Sequence, residues 1–455
     1  MNSSRVERFA RRLPQAKTDA VRSASALKTT QRREALAASF MGREDEAREF
    51  AARVKAGVLD DLKALLLRFE EKCVQKGVRV HWAATAESAR KTILEIAASV
   101  APKGSTVVKG KSMATEEIHL NGALEEAGYR VVETDLGEFV VQIDGDAPSH
   151  IVTPIIHKDR FEIARSFERE GLGEYTEQPE ALTAQARAFL RERFREAKVG
   201  ISGVNFAIAE TGRIVIVENE GNNRLSTTAP DVHIAVMGIE KLLRTEQELP
   251  VFLKLLACSA TGQRVTTYVH FVSGPRRQDE EDGPREVHVV LLDNGRSQIL
   301  GGRYRDILRC IRCGACLNVC PVYRQASGHG YAHVYGGPLG AVLAPALEGV
   351  AAMGDLSKAS SLCGACEEVC PVRIPIPHML LRLRAEAAKS GAFGDGIPWR
   401  RFAAAASSPL KWRLALWLLP IALRMPSPFR RAWGEFRSAP RRSGRSFRRW
   451  WRGRS

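Results

Sequence analysis

Residues 310–321 read CIRCGACLNVCP, and residues 360–371 answer them with SSLCGACEEVCP. The first run carries Cys310, Cys313, Cys316 and Cys320, the last directly before Pro321. The second carries Cys363, Cys366 and Cys370, the last directly before Pro371, and Ser360 stands where its first cysteine would fall. Seven of the nine cysteines in the chain lie in these two runs, so disulfides spread through a secreted fold do not explain them. A C-x2-C-x2-C spacing brings three thiolates of one loop around a single inorganic body. A further cysteine before proline points to a second body. The runs therefore predict two 4Fe–4S clusters, one on Cys310, Cys313, Cys316 and Cys370, the other on Cys320, Cys363 and Cys366. Zinc takes four thiolate or imidazole ligands per ion, which seven cysteines do not divide into.

The second set lacks a fourth cysteine, and two readings stay open. Ser360, water or another side chain completes a 4Fe–4S cluster, or the site holds a 3Fe–4S cluster. His329, His333 and His378 lie in the same region and are candidate ligands. Gly314 and Gly364 sit between ligands, where the backbone must approach closely. Cys73 and Cys258 lie outside both runs and read as buried apolar filler. The long segment 321–362 between the runs resembles the helical ferredoxin domain of succinate dehydrogenase and anaerobic glycerol-3-phosphate dehydrogenase iron–sulfur subunits.

Upstream, strand and helix signals alternate. VRVHWA (78–83), STVVKG (105–110), YRVVETD (129–135) and DVHIAVMG (231–238) read as strands. KVGISGVNFAIAETGRIVIVENEG (198–221) reads as two strands joined by a Thr-Gly turn. Helical stretches between them predict an open, mostly parallel α/β sheet followed by an α-helical ferredoxin-type domain. Before the sheet, Phe50, Val54, Val58, Leu62, Leu65 and Leu66 form one apolar stripe, so one or two amphipathic helices are expected. The expected divisions are N-terminal helices at 1–75, the α/β domain at 76–298, the iron–sulfur domain at 299–395 and a basic tail at 396–455. No apolar leader marks the N-terminus, which predicts a cytoplasmic chain.

Charge is concentrated in the tail. Residues 396–455 hold fourteen Arg, one Lys and one Glu, so they carry +14 of the net +16. The apolar run Leu414–Leu423 contains Pro420 and is too short to span a bilayer, which takes about 20 apolar residues. A peripheral contact with the inner face of the membrane suits a Trp- and Arg-rich tail, and nucleic acid is not the expected partner.

KGKSMATEEIHLN (109–121), GISGVNFAIAETGRIVIVENEGNNRLSTTAPDVHIAVMGIEK (200–241), GHGYAHVYGGPLGAVLAP (328–345) and ASSLCGACEEVCPVRIPIP (359–377) resemble the lactate utilisation protein B family. The resemblance covers almost the whole chain, from the N-terminal helices into the tail. It implies an electron carrier that works with lactate utilisation proteins A and C in oxidising L-lactate to pyruvate and passes electrons to a membrane acceptor. It also implies that Ser360 belongs to the family pattern. The family's α/β domain is similar to the sugar-phosphate isomerase and CoA-transferase group, so a second reading is a transferase or anion-binding module with structural or sensory clusters. In that reading Glu218, at the end of the strand RIVIV, is the candidate catalytic residue, with Glu220 beside it. Lys109, Lys111 and Ser112 form a candidate anion seat, with Asn205, Thr227 and Thr228 as further polar candidates. No G-x-G-x-x-G follows a strand, so no dinucleotide site is announced.

Overall fold

The computed structural model describes residues 5–390, 399–424 and 447–453. It falls into two units, one of Ser4–Ser390 and one of Met1–Ser3 with Gly391–Ser455.

The larger unit opens with four helices, where one or two were expected: α1 (Arg5–Ala10), α2 (Gln15–Phe40), α3 (Glu44–Asp60) and α4 (Leu62–Val74). Met41, at φ 51°, stops α2. Glu44, Asp45 and Glu46 then fill the first turn of α3, where negative charge suits the helix dipole. The apolar stripe read from the sequence buries Val54, Val58, Leu62, Leu65 and Leu66.

Ten strands follow: β1 (Arg79–Ala83), β2 (Thr106–Lys109), β3 (Arg130–Glu133), β4 (Val199–Gly203), β5 (Phe206–Ile208), β6 (Arg213–Glu218), β7 (Val232–Gly238), β8 (Leu242–Leu243), β9 (Tyr268–Val272) and β10 (Glu286–Leu292). Six of them form a wholly parallel sheet in the order β1-β10-β7-β4-β2-β3. Every residue of β7 is buried, as expected of a central strand covered on both faces. The other four form a smaller mixed sheet in the order β8-β5-β6-β9, which the sequence reading did not separate. Residues 198–221 therefore hold three strands in two sheets. The chain leaves the main sheet after Gly203, and Asn205 Oδ1 accepts the N–H of Val217 at 2.9 Å, which ties the crossing to β6.

One apolar core runs from the N-terminal helices through Phe206 and Phe252 to Cys313, Leu317 and Leu339. The iron–sulfur region thus packs on the helices and the α/β domain without a gap between cores. The opposite face of the main sheet is closed by Ile93, Ile96, Leu120 and Leu124.

Gly200 in β4 leaves room for the helix Asn222–Thr228: a Cβ there would lie 1.7 Å from the Ser226 carbonyl oxygen. Backbone has little freedom to yield. Gly200→Ala is expected to cost about 1–3 kcal/mol or more, read as a lower urea midpoint. An unchanged midpoint would contradict this packing.

In the smaller unit, the helix Pro409–Arg424 leaves Leu410, Leu414, Leu416, Trp417 and Leu418 exposed. No helix among the described residues is long and apolar enough to cross a membrane.

Candidate iron–sulfur site and adjoining cavity

The two cysteine runs adopt the same local backbone. Arg312 and Gly314 in the first have φ of 61° and 74°; Leu362 and Gly364 in the second have 56° and 87°. A left-handed residue other than glycine costs about 1–2 kcal/mol, so its repetition at equivalent positions marks a shaped turn. In the first run the Arg312 N–H donates to Cys310 Sγ at 3.4 Å. In the second the Leu362 N–H donates to Ser360 Oγ at 3.1 Å. The serine oxygen therefore holds the place in its turn that a thiol sulfur holds in the other. Each turn feeds a short helix, Ala315–Val319 or Ala365–Glu368, and these two helices pack together.

The thiols form two neighbourhoods. Burial, and then Cys310, push the Cys313 thiol up to about 12. Cys316 is raised by burial, then by Cys310, Cys313, Cys366 and Cys370. Cys370 is raised by burial and by Cys310, while its sulfur accepts the Ile374 N–H at 3.3 Å. Cys366 is pushed up to about 12 by burial and then by Cys320, with Cys363 also adjacent. Cys363 is exposed, and the Ala365 N–H lowers its pKa. Buried thiols that repel one another's charge in this way suit a metal body that holds them as thiolates. Tyr331 supports that fit. It is fully buried beside Cys320, Cys316 and Cys366, and its hydroxyl has no partner among the described residues.

Cations that were not singled out in the sequence surround the first set. Arg48 of α3 donates from Nε to the Cys370 carbonyl at 3.1 Å, and Arg32 of α2 donates to the Val369 carbonyl at 2.6 Å. Arg312, inside the first run itself, lies over the Tyr335 ring at 5.0 Å and donates to Glu240 at 3.3 Å. Glu240 is shared with Arg296 at 2.8 Å, and Arg296 also holds Glu117 at 2.8 Å, with Tyr335 donating to Glu117 at 2.7 Å. Burial alone would raise Glu240, but Arg296 and Arg312 bring it down to about 2. Lys55 of α3 donates to the Glu240 carbonyl at 2.5 Å. The sequence signals were weak: Arg32, Arg48 and Lys55 look like ordinary polar helix positions until their partners are known.

A cavity of about 340 Å³ opens over the C-terminal ends of β2, β4 and β7 and reaches Arg312 and Tyr335. This is where the strand order reverses, between β2 and β4, the usual place for ligands in open sheets.

The other sequence candidates fall as follows. Glu218 accepts from the backbone N–H of Asn223 at 2.7 Å and of Arg224 at 2.9 Å, and pairs with His270 at 2.5 Å. Its carboxylate is engaged in holding a helix start. Glu220 lines the cavity and rises to about 7 through burial and the adjacent Asp135. Lys109 is wholly buried against Glu133 at 2.8 Å and Glu116 at 3.0 Å, and Lys111 pairs with Glu138 at 2.5 Å. Ser112 Oγ caps the next helix through the Thr115 N–H, and Lys111 and Ser112 line the cavity whereas Lys109 does not. Thr227 and Thr228 return their hydroxyls to the Arg224 carbonyl. His329 Nε2 donates to the Ala147 carbonyl at 2.6 Å beside His157, His333 pairs with Glu348 at 2.9 Å, and His378 is exposed. Cys73 meets the Gly212 carbonyl at 3.3 Å and Cys258 meets Ser39 at 3.4 Å, both buried and apart from the runs.

A parallel α/β domain joined to a helical region that gathers seven cysteines in two sets defines an iron–sulfur protein of ferredoxin type. Residues 66–292 match the LUD domain family, 306–374 the 4Fe-4S dicluster domain, and 382–455 the lactate utilisation protein B C-terminal family. The chain belongs to the lactate utilization protein B family. It is 42% identical to lactate utilization protein B of Anoxybacillus flavithermus and 43% identical to lactate utilization protein B 2 of Bacillus mycoides, each over 91% of this chain and 90% of the relative. It is 45% identical, over 90% of its length and 89% of the relative, to the uncharacterized electron transport protein YkgF of Escherichia coli K12. The match over 382–455 takes in the whole of the tail. A solved DUF162 family protein from Deinococcus radiodurans overlaps 51% of this chain and 98% of its own at 15% identity with a TM-score of 0.28.

Proposed function

We propose that this chain is the electron-carrying component of a complex with lactate utilisation proteins A and C that oxidises L-lactate to pyruvate. The observation that carries the reading is the gathering of the thiols into two neighbouring sets with Tyr331 beside both. Cys310, Cys313, Cys316 and Cys370 hold one 4Fe–4S cluster, and Cys320, Cys363 and Cys366 hold a second. When bound, such clusters supply one-electron carriage, so the two electrons released as lactate loses two hydrogens leave singly. Arg32, Arg48 and Arg312 surround the first set with positive charge, which favours the reduced, more negative state. The Arg312 and Ile374 N–H groups donate to ligand sulfurs and act in the same direction.

Ser360 Oγ is the fourth ligand of the second cluster in this reading, because its turn reproduces that of Cys310. An oxygen donor is harder than sulfur and stabilises oxidised iron. Ser360→Cys is therefore expected to leave iron and sulfide content unchanged, to raise the potential of one cluster and to alter its EPR signal. A wild-type spectrum and potential in the variant would remove Ser360 from the ligand set, and a three-iron centre in the native protein would do the same.

The central experiment is anaerobic. With proteins A and C present, adding L-lactate should reduce the clusters as pyruvate forms. Clusters that stay oxidised while pyruvate accumulates would refute the carrier role. The exposed apolar side chains of Pro409–Arg424 and the basic tail support a peripheral contact with the inner face of the membrane, close to an electron acceptor. Flotation with anionic liposomes, comparing the full chain with one ending at Ser407, tests that contact; equal recovery in the soluble fraction counts against it. The transferase reading is less well supported, since the Glu218 carboxylate is already occupied by two backbone N–H groups and His270.

A further inference from the structure

The two cysteine runs share one backbone turn but not one environment. In the first run residues 311–315 are all buried. At the equivalent places of the second run Ser361 and Cys363 are exposed, and Leu362, Gly364 and Ala365 are half-buried. The glycines show why. A Cβ on Gly314 would lie 2.8 Å from His150 Cε1 and 3.3 Å from Val152 Cγ2, so a loop of the α/β domain lies directly over the first turn. A Cβ on Gly364 would meet nothing within 4 Å. Packing does not require this bareness, since the equivalent turn is covered.

The side chains that follow differ in the same sense. After CGAC the first run continues with Leu317 and Asn318, which are 0% and 3% exposed. The second continues with Glu367, which is half-buried, and Glu368, which is exposed. Arg48 and Arg32 hold this run from the core side by the backbone carbonyls of Glu368, Val369 and Cys370. Arg384 is engaged in the same way with the Ser357 and Ser360 carbonyls, at 2.9 and 2.6 Å. The neighbouring cations are thus turned to backbone oxygens. The Glu367 and Glu368 carboxylates make no hydrogen bond or ion pair among the described residues.

We propose that the bare turn Ser361–Ala365, with Glu367 and Glu368 at its rim, is the surface on which a one-electron redox protein bearing a positively charged patch docks to exchange electrons with the second cysteine set. The inference rests on the reading that both sets hold clusters. Each encounter moves one electron: iron of the second set is oxidised by one and the partner is reduced by one, with no bond or proton exchanged. Electron tunnelling weakens steeply with distance, and Cys363 is the one exposed ligand among the seven. A partner seated on its turn approaches that set more closely than the covered one. Cys316 of the first set adjoins Cys366 of the second, which leaves a short internal step between them. Two unpaired carboxylates beside the contact favour a basic partner over an acidic one.

Stopped-flow mixing tests this on the full-length, cluster-loaded protein after anaerobic reduction by dithionite. Two one-electron acceptors serve as probes: cytochrome c, whose contact face is rich in lysine, and plastocyanin, whose contact face is acidic. The basic tail acts on both, so the ratio of the two rate constants is the quantity read. Glu367→Lys combined with Glu368→Lys should lower the cytochrome c to plastocyanin ratio by about tenfold or more at low salt, and high salt should shrink the change. The same pair of substitutions at Glu125 and Glu126, exposed on the α/β domain, should leave the ratio near its wild-type value. Iron content and EPR spectra should match the wild type throughout. The docking surface is overturned if the ratio does not move in the first variant, or if the remote pair moves it as far. Should the lysine variant lose iron, Glu367→Gln with Glu368→Gln must shift the ratio in the same direction. Wild-type protein without iron would sink the cluster reading itself, whereas full iron with an unmoved ratio would sink the docking surface alone.

Discussion

Cys313→Ala is expected to abolish lactate-dependent electron flow and to remove about four of about eight iron atoms per chain. Cys313 is 6% exposed and has Cys310 and Cys370 as charge neighbours, so its loss leaves three thiols of that set around a gap. Packing alone suffers little, since only one sulfur atom disappears from the core. Metal binding is nevertheless coupled to folding, and the turn at Arg312 is held in a strained left-handed conformation that the cluster would help to pay back. The signals of the other set should persist in EPR. Iron and sulfide analysis gives the first check, and lactate-driven reduction with proteins A and C gives the second. Full iron content in the variant would show that Cys313 is not a ligand.

Arg296→Met is expected to have the largest effect on stability. Arg296 is 2% exposed and bridges Glu117 and Glu240, two carboxylates that are buried to a similar degree. Methionine fills much of the volume but leaves Glu117 without its arginine and Glu240 with Arg312 alone. Breaking a buried pair from one side costs about 3–5 kcal/mol, because the remaining charge cannot be solvated. The pH dependence identifies the cause. In the wild type Glu240 is held at about 2, below the usual value of about 4.3 for a free glutamate. A depressed carboxylate contributes stability above its unfolded pKa and loses it as pH falls through the folded value, here between about 4 and about 2. In the variant the two carboxylates lose Arg296 and their pKa values rise, so mild acid neutralises them. The stability gap between variant and wild type should therefore narrow as pH falls from 7 toward 5. Urea midpoints measured across that range provide the test, and a constant gap would point to lost packing.

Much of the site was legible because thiolate spacing is local. The C-x2-C-x2-C pattern fixes which sulfurs share one loop, and Gly314 with Gly364 marks the close turns. The repeat also exposed Ser360 as an odd position, although only the structure supplied the Leu362 N–H that treats it like Cys310. Most of the main sheet was legible too, since β7 is a largely apolar run, whereas β10 was not singled out. The second sheet was not. β5 and β8 are three and two residues long, too short for periodicity to separate them from their neighbours. Lys109 misled for a related reason. A lysine before a helix reads as solvent-facing, and only the arrival of Glu133 from β3 and Glu116 shows that it is buried as an ion pair.

The sequence by itself determined which residue types could gather iron, that a parallel helix-covered sheet precedes them, and that positive charge is heaped at the C-terminus, because spacing, periodicity and net charge are properties of neighbours along a chain. Only the tertiary structure decided that Arg312, Lys241, Glu240 and Arg296 meet at one wall of a cavity. These residues come from separate segments, and the energy of a buried charge depends on partners brought from elsewhere in the fold.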